Sequence, residues 1–519
     1  MTATSPNPQV FNKYNGLGHR QVGATRFTEL MALKQQHLDE ARECAALTKP
    51  LVVPPSGHVS GAPLPRPESS HGARLVDNLV SQLLLILFPP GIPFVRLDLE
   101  ALDLKDFART QELPDGRNLY DALRETFVGL EVSMATRFDT SGLREKVYLI
   151  LQQLVVAGDS CYIVPEDSPL DIDIVPFEDW VCVRSPSGEL LEVITRRYIP
   201  DVETEDGPSE GDNGYSTVFT RHYQRQPRRW VTEEFLENSV EPVHSYETKG
   251  LMPDGVYIPY WSLASGEDYG RSIVDENLGD LRTYESGTKI VKESASALAK
   301  VIFTTRPNGT IRPHRLAEAE NCEIIEGDPS DVGVVQAQKL HDMSGFISFL
   351  NNLKMELDIV FMMPTALRRH AERVTAEEIR EIASQFERTR GATYGLLSRH
   401  IQGPLATILL EDVYKDVDAV GTMSVSDLVP IVNTGLQGLG RTLELEGYLM
   451  LLNDLRTYKP EALGLIKDTH LVHKLAGLRG VQAGTLLKTL EELQAESQEA
   501  MANQMAVDNS KTIMEKSLL

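Results

Sequence analysis

The residues with the clearest chemical potential sit in one short segment, PTALRRHAERV, from Pro364 to Val374. It carries Arg368, Arg369, His370 and Arg373 in a chain with 51 Lys+Arg against 75 Asp+Glu. In a chain this acidic, permanent cations crowded beside a titratable imidazole need a reason, and an anionic partner such as phosphate is one.

Two helix patterns must position that segment. Phe346, Ile347, Leu350, Leu353, Leu357 and Phe361 recur three or four residues apart, which is one face of a helix. The pattern is expected to stop before Pro364, because a residue preceding proline disfavours helical dihedrals. A second helix is expected to start at Thr375, where Thr375-Ala-Glu-Glu378 reads as a capping box. Pro364, Thr375 and Glu378 are therefore the predicted hinge points on either side of the cationic loop. Ile379, Ile382, Phe386, Leu396, Leu397 and Ile401 continue the apolar stripe.

Enzyme constellations are missing from the sequence. There is no GxxxxGK[ST], which argues against a motor ATPase. Gly435-Leu-Gln-Gly438-Leu-Gly440-Arg reverses the dinucleotide fingerprint and reads as helix capping. Gly207-Pro-Ser209-Glu-Gly211 matches GxSxG, but it sits in an acidic hairpin tip without the strand and helix of a nucleophile elbow. Glu377, Glu378 and Glu381 complement a helix dipole better than they make an acid/base pair. Cys44, Cys161, Cys182 and Cys322 stand far apart and read as reduced thiols; no metal site, cofactor or catalytic residue is expected.

The 519 residues carry a net charge of −24, which excludes a general nucleic-acid binder. Any DNA contact must be local, or the surface must be slippery. The longest apolar run, around Leu83 to Phe88, is too short to span a bilayer, and MTATSPNPQVFNKYNG lacks the apolar core of a secretory signal. A soluble, cytosolic or assembly-borne protein with no membrane partner is expected.

The periodicity predicts helices over 26–49, 73–88, 118–137, 142–158 and 273–300, with a strand over 94–104. The 273–300 stretch contains Gly279 and Gly287, which leave room for another helix to approach. Residues 52–72, rich in Pro, Gly, Ser and His, read as a functional arm, an inter-subunit strap or a plain surface excursion. Between Cys161 and Ala264 the period falls to two, giving six short strands. RHYQRQPRRW (221–230) is basic with interleaved aromatics. Nucleic-acid contact is one reading; the favoured one is a hairpin whose arginines face the acidic tip at 202–214. Residues 301–338 form a small β insertion between two helices. Residues 416–434 read as a turn-rich link, and 435–500 as a small helical bundle.

Four stretches resemble one family: LQQLVVAGDSCYIVPE (151–166), GEDYGRSIVDENLGDLRTYES (266–286), ERVTAEEIREIASQFERTRGATYGLLSRHIQGPL (372–405) and NTGLQGLGR (433–441). Together they are similar to the portal, or head-to-tail connector, proteins of T7-like short-tailed phages, the podoviruses. The resemblance implies a mainly helical α+β portal fold with wing, stem, clip and crown, in a ring of about twelve subunits around a DNA channel. On it, 1–265 would be wing, 266–300 and 341–363 the stem helices, 301–340 the clip and 364–374 the tunnel loop. Residues 375–434 would return to the wing, 435–500 would be the crown and 501–519 a flexible tail.

Arg368, Arg369, His370 and Arg373 would then face DNA. The implied partners are further copies of the chain, double-stranded DNA, capsid protein, scaffolding protein, the terminase during packaging, a tail adaptor at the clip and internal core proteins at the crown. The implied place is the portal vertex of the virion, after assembly in the host cytoplasm. Two other readings remain: a tail adaptor ring that never touches DNA, and a nuclease, for which no metal triad is evident. If the arginines instead bridge subunits, replacing them should abolish ring assembly.

Overall fold

The computed structural model describes residues 23–90, 93–99, 110–111, 119–200, 215–237, 239–250, 252–253, 255–298, 302–319, 324, 326–335, 340–363, 391, 393–416, 428–432, 440–458, 471 and 475. These fall into two compact units. One draws on Met1–Ser81, Leu149–Cys161 and Ile174–His370; the other draws on Gln82–Tyr148, Tyr162–Asp173 and Ala371–Leu519.

In chain order the elements begin with α1 (Gly23–Leu47), α2 (His71–Leu87), β1 (Val95–Leu99), α3 (Leu119–Thr140) and α4 (Leu143–Ala157). The β-rich region holds β2 (Cys161–Ile163), β3 (Asp173–Val175), β4 (Trp180–Arg184), β5 (Leu190–Pro200), β6 (Tyr215–Gln226), β7 (Arg229–Leu236), β8 (His244–Lys249) and β9 (Val256–Tyr257). After it come α5 (Ile273–Glu276), α6 (Leu278–Leu298), β10 (Ile302–Thr305), α7 (Pro313–Glu318), β11 (Val332–Val335) and α8 (Leu340–Val360). The last described elements are α9 (Gly403–Asp416), β12 (Leu428–Val432) and α10 (Gly440–Tyr458).

The first unit is built on an antiparallel sheet in the order β4-β5-β6-β7-β8. Its core forms where α1 lays Phe27 and Leu30 against Val181, Val183, Ile194, Phe219 and Phe235. Eight strand segments stand where six were expected. IDIVPFEDWVCVRS splits into β3 and β4, and HSYETK forms β8. That last segment lacks an apolar alternation; its pairing with β7 places it, at the sheet edge. GVYIPYWSLA contributes only Val256–Tyr257 as strand.

The arginines of 221–230 are also differently engaged. Arg221 is buried and donates to Glu192 Oε1 at 2.7 Å, and Arg225 pairs with Glu247 at 3.1 Å. Their partners are carboxylates on neighbouring strands; the acidic 202–214 tip lies outside the described residues. The predicted 273–300 helix is two helices, because α5 ends at a C-cap, Asn277, and α6 restarts at Leu278.

In the second unit Phe88, Phe94 and Phe138 form one cluster, with ring centroids 4.6 to 5.7 Å apart. The predicted 94–104 strand is described only as β1. It pairs with β12, a strand that reading 416–434 as a turn-rich link missed. Pro430 stands opposite Leu97. A proline cannot donate to a ladder, and Pro430 stands in a strand that, among the described residues, pairs with β1 alone.

Residues 393–397 are helical and continue through a π-turn, Ser398–Gln402, into α9. Pro404 explains that turn. Its ring excludes the usual bond to His400 O, so Gly403 N–H reaches back to Ser398 O and the Tyr162 hydroxyl donates to His400 O at 3.3 Å.

Candidate functional site

Every residue singled out in the sequence, namely Pro364, Arg368, Arg369, His370, Arg373, Thr375 and Glu378, lies outside the described residues. What the structure does describe is the support that leads into them, a helical hairpin of α6 and α8 with the β insertion between its arms.

Leu350, Leu353, Leu357 and Phe361 are buried, so the predicted stripe is the packed face of α8 from its middle onward. Nearer its start, Phe346 is half-buried and Ile347 exposed. Phe349, Met355 and Ile359 are exposed as well. The close approach expected at two glycines occurs at one. A Cβ on Gly287 would stand 2.5 Å from Leu350 Cδ2, whereas one on Gly279 would meet nothing within 4 Å. Gly287 is thus the point where α8 presses onto α6, and a side chain there would collide with the core of the hairpin.

The C-terminal end of α8 falls before Pro364, as expected. The helix stops at Val360, and Phe361 and Met362 form a turn in which Met362 has φ 54°. Met362 N–H bonds Ile359 O at 3.1 Å and Met363 N–H bonds Asp358 O at 2.8 Å. Asn78, from α2, donates its amide to Phe361 O at 3.1 Å and to Met362 O at 3.0 Å.

Two turns earlier on α2, His71 Nε2 lies 3.2 Å from Asp358 Oδ1, and the His71 ring packs on Tyr284 of α6 at 5.2 Å. Burial holds the His71 pKa below its usual value; Asp358 pulls it up, while Lys354 and Arg74 push it further down. Sequence reasoning missed Asn78 and His71. The available signal was a polar pair, Asp77-Asn78, inside a helix otherwise apolar on most sides.

The 52–72 segment is a strap lying on its own chain. The backbone N–H groups of Glu68 and Ser69 both donate to the Glu285 carboxylate, and Lys292 reaches Glu68 O. At the other end of the hairpin, β10 and β11 pair antiparallel. Asp331 closes the insertion by accepting from Thr310 N and Oγ1 at 2.8 and 3.0 Å. Arg306, Arg312, His314 and Arg315 are exposed there, and His314 pairs with Glu318 at 2.9 Å.

The signature stretches 151–166 and 266–286 interlock in the first unit. A Cβ on Gly158, whose φ is 92°, would lie 2.2 Å from Gly270 O, so only glycine fits. Asp159 Oδ2 accepts from Gly270 N at 2.7 Å, and Ser272 caps α5 by accepting from Asp275 N. Beside them Lys34, fully buried, donates to Phe177 O and Trp180 O at 2.6 and 2.8 Å, and its ammonium lies 3.7 Å from the Trp180 ring centre. Cys44, Cys161 and Cys182 are free and buried, and burial raises all three thiol pKa values. Among the described residues no group of three His, Cys, Asp or Glu is placed to hold a metal ion, and no helix is long and apolar enough to cross a membrane. The arrangement therefore offers a buried scaffold and an exposed hairpin for association.

The family profile and the curated relatives agree on a single family. The profile described as "Bacteriophage head to tail connecting protein" matches residues 20–203 and 252–487. The portal protein of Escherichia phage T7 is 28% identical over 497 residues, covering 90% of this chain and 88% of that protein. The portal protein of Enterobacteria phage T3 is 28% identical over 449 residues, 84% of this chain and 82% of that protein. That of Enterobacteria phage SP6 is 25% identical over 496 residues, covering 92% of both. Among solved structures, a chain of the virion of the native gene transfer agent particle superposes with a TM-score of 0.35 at 12% identity, over 79% of this chain and 90% of that one. With the profile spanning most of the sequence on both sides of β6, β7 and β8, the chain belongs to the bacteriophage head to tail connecting protein family.

Proposed function

We propose that the chain forms a ring of about twelve copies at one vertex of a phage capsid, and that double-stranded DNA crosses its bore during packaging and ejection. The observation that carries this reading is the family match over 20–203 and 252–487, joined by relatives named portal proteins that align with 84% to 92% of the chain. In this reading the α6–α8 hairpin is the stem, 301–340 the clip that meets a tail adaptor, and 435–500 the crown that meets internal core proteins. The terminase docks during packaging, and capsid and scaffolding proteins surround the ring. The role is structural, with no catalytic step.

The mechanism follows from charge. A net −24 per chain makes a wall that repels phosphates, so the duplex slides. Arg368, Arg369 and Arg373, with His370 nearby, confine the cations to a thin ring at the constriction. Each step of the duplex then exchanges equivalent contacts across a low barrier. The double variant Arg368→Ala/Arg369→Ala tests this. Rings of native mass should still assemble, while particles should retain or package genome differently. Loss of assembly would instead assign the arginines to subunit bridging.

A further inference from the structure

We propose that Asn78 is the positioning residue for the end of the hairpin: its amide holds Met362 in a left-handed turn and so sets the direction in which the chain leaves α8. The inference rests on the channel reading only for its consequence to DNA.

The geometry is specific. The last carbonyls of a helix have no intrahelical donor, and a single amide nitrogen, Asn78 Nδ2, serves two oxygens here, at 3.1 and 3.0 Å. The asparagine amide carries two N–H donors on one atom, which matches two acceptors reached from so short a side chain. The turn it supports is one that L residues avoid. Among the described non-glycine residues only Arg228 and Met362 have positive φ. Met362 N–H to Ile359 O and Met363 N–H to Asp358 O close the kind of helix end usually built on glycine. A methionine side chain does not favour that conformation as glycine does, and the Asn78 amide adds to the two backbone bonds that close it.

Asn78 is itself held firmly. Leu75, Val76, Leu79 and Val80 on both sides of it are buried, Asp77 pairs with Lys49, and His71 meets Asp358 two turns earlier. The carboxylate isostere at this position would present acceptors to two carbonyls and push the turn away.

The test is hydrogen exchange of the full-length assembled chain, read on the amides of 357–363 relative to wild type at each pH. Asn78→Ala should raise exchange about tenfold. Asn78→Asp should raise it further at neutral pH and fall back toward the Ala level as its carboxyl protonates near pH 4 to 5; a residue that merely fills space shows no such difference. Exchange of β5 to β7 should be unchanged in both. If Asn78→Ala does not fold, Asn78→Ser, which keeps one donor, should give an intermediate rise. Exchange at 357–363 within about twofold of wild type in the folded variants would overturn the assignment. Genome retention, scored separately in particles carrying Asn78→Ala, separates the two ideas. Raised exchange with normal retention keeps the positioning role and removes its consequence for DNA.

Discussion

At position 192 one carboxylate holds two buried guanidiniums. Glu192 accepts from Arg26 at 3.2 and 3.0 Å and from Arg221 at 2.7 Å, and all three side chains are essentially inaccessible. Removing the shared anion takes a buried carboxylate away from two guanidiniums, of which Arg26 keeps Glu29 at 3.3 Å, so Glu192→Gln should destabilise the chain by about 3 kcal/mol in chemical denaturation. A loss below about 1 kcal/mol would mean that water reaches the site. His222 gives a pH signature. Burial, helped by Arg197, lowers its pKa from 6.5 to about 4. Between those values the unfolded chain binds a proton that the folded chain refuses. Its contribution is therefore intact above pH 6.5 and declines toward pH 4, by up to about 3 kcal/mol. His222→Asn should flatten that part of the stability profile, and parallel profiles would refute the assignment. Lys34 acts in a different window. Burial lowers it from 10.5 to about 7, so the penalty of its charge is full below pH 7 and is relieved as pH rises toward 10.5. None of this is visible in sequence, where Arg26, Glu192, Arg221 and Lys34 look like ordinary surface charges. They are read as buried only once register and the seat of α1 are known.

At the scale of elements, the two glycines of α6 make opposite predictions. Gly287→Leu should wedge the hairpin against Leu350 and cost about 1 to 3 kcal/mol, while Gly279→Ala, facing open space, should gain up to about 1 kcal/mol of helix propensity. Thermal melts of the two variants that shift in the same direction would contradict this packing. Helices were the legible part of the chain, because α1, α2, α3 and α4 carry their burial as a 3.6-residue rhythm and end within a few residues of their predicted limits. Strands were less so. β8 is polar and owes its existence to β7, and β12 hides behind Pro430. The end of α8 before Pro364 was legible, whereas the amide of Asn78, 283 positions upstream of Phe361, that bonds the turn after it was not.

For the whole molecule, the family was legible because its signature stretches have structural work that tolerates few substitutes. Gly158 and Gly270 touch backbone to backbone, and Ser272 caps α5. The cationic segment was equally conspicuous, since four basic groups crowd into 368–373 of a chain at −24, but its placement lies outside the described residues. Electron cryomicroscopy of the purified full-length assembly tests the central claim most directly. The account predicts a closed ring with a bore that admits a double helix and has residues 364–374 at its narrowest point. A particle without such a bore, or with Arg368 to Arg373 on its outer rim, would contradict it.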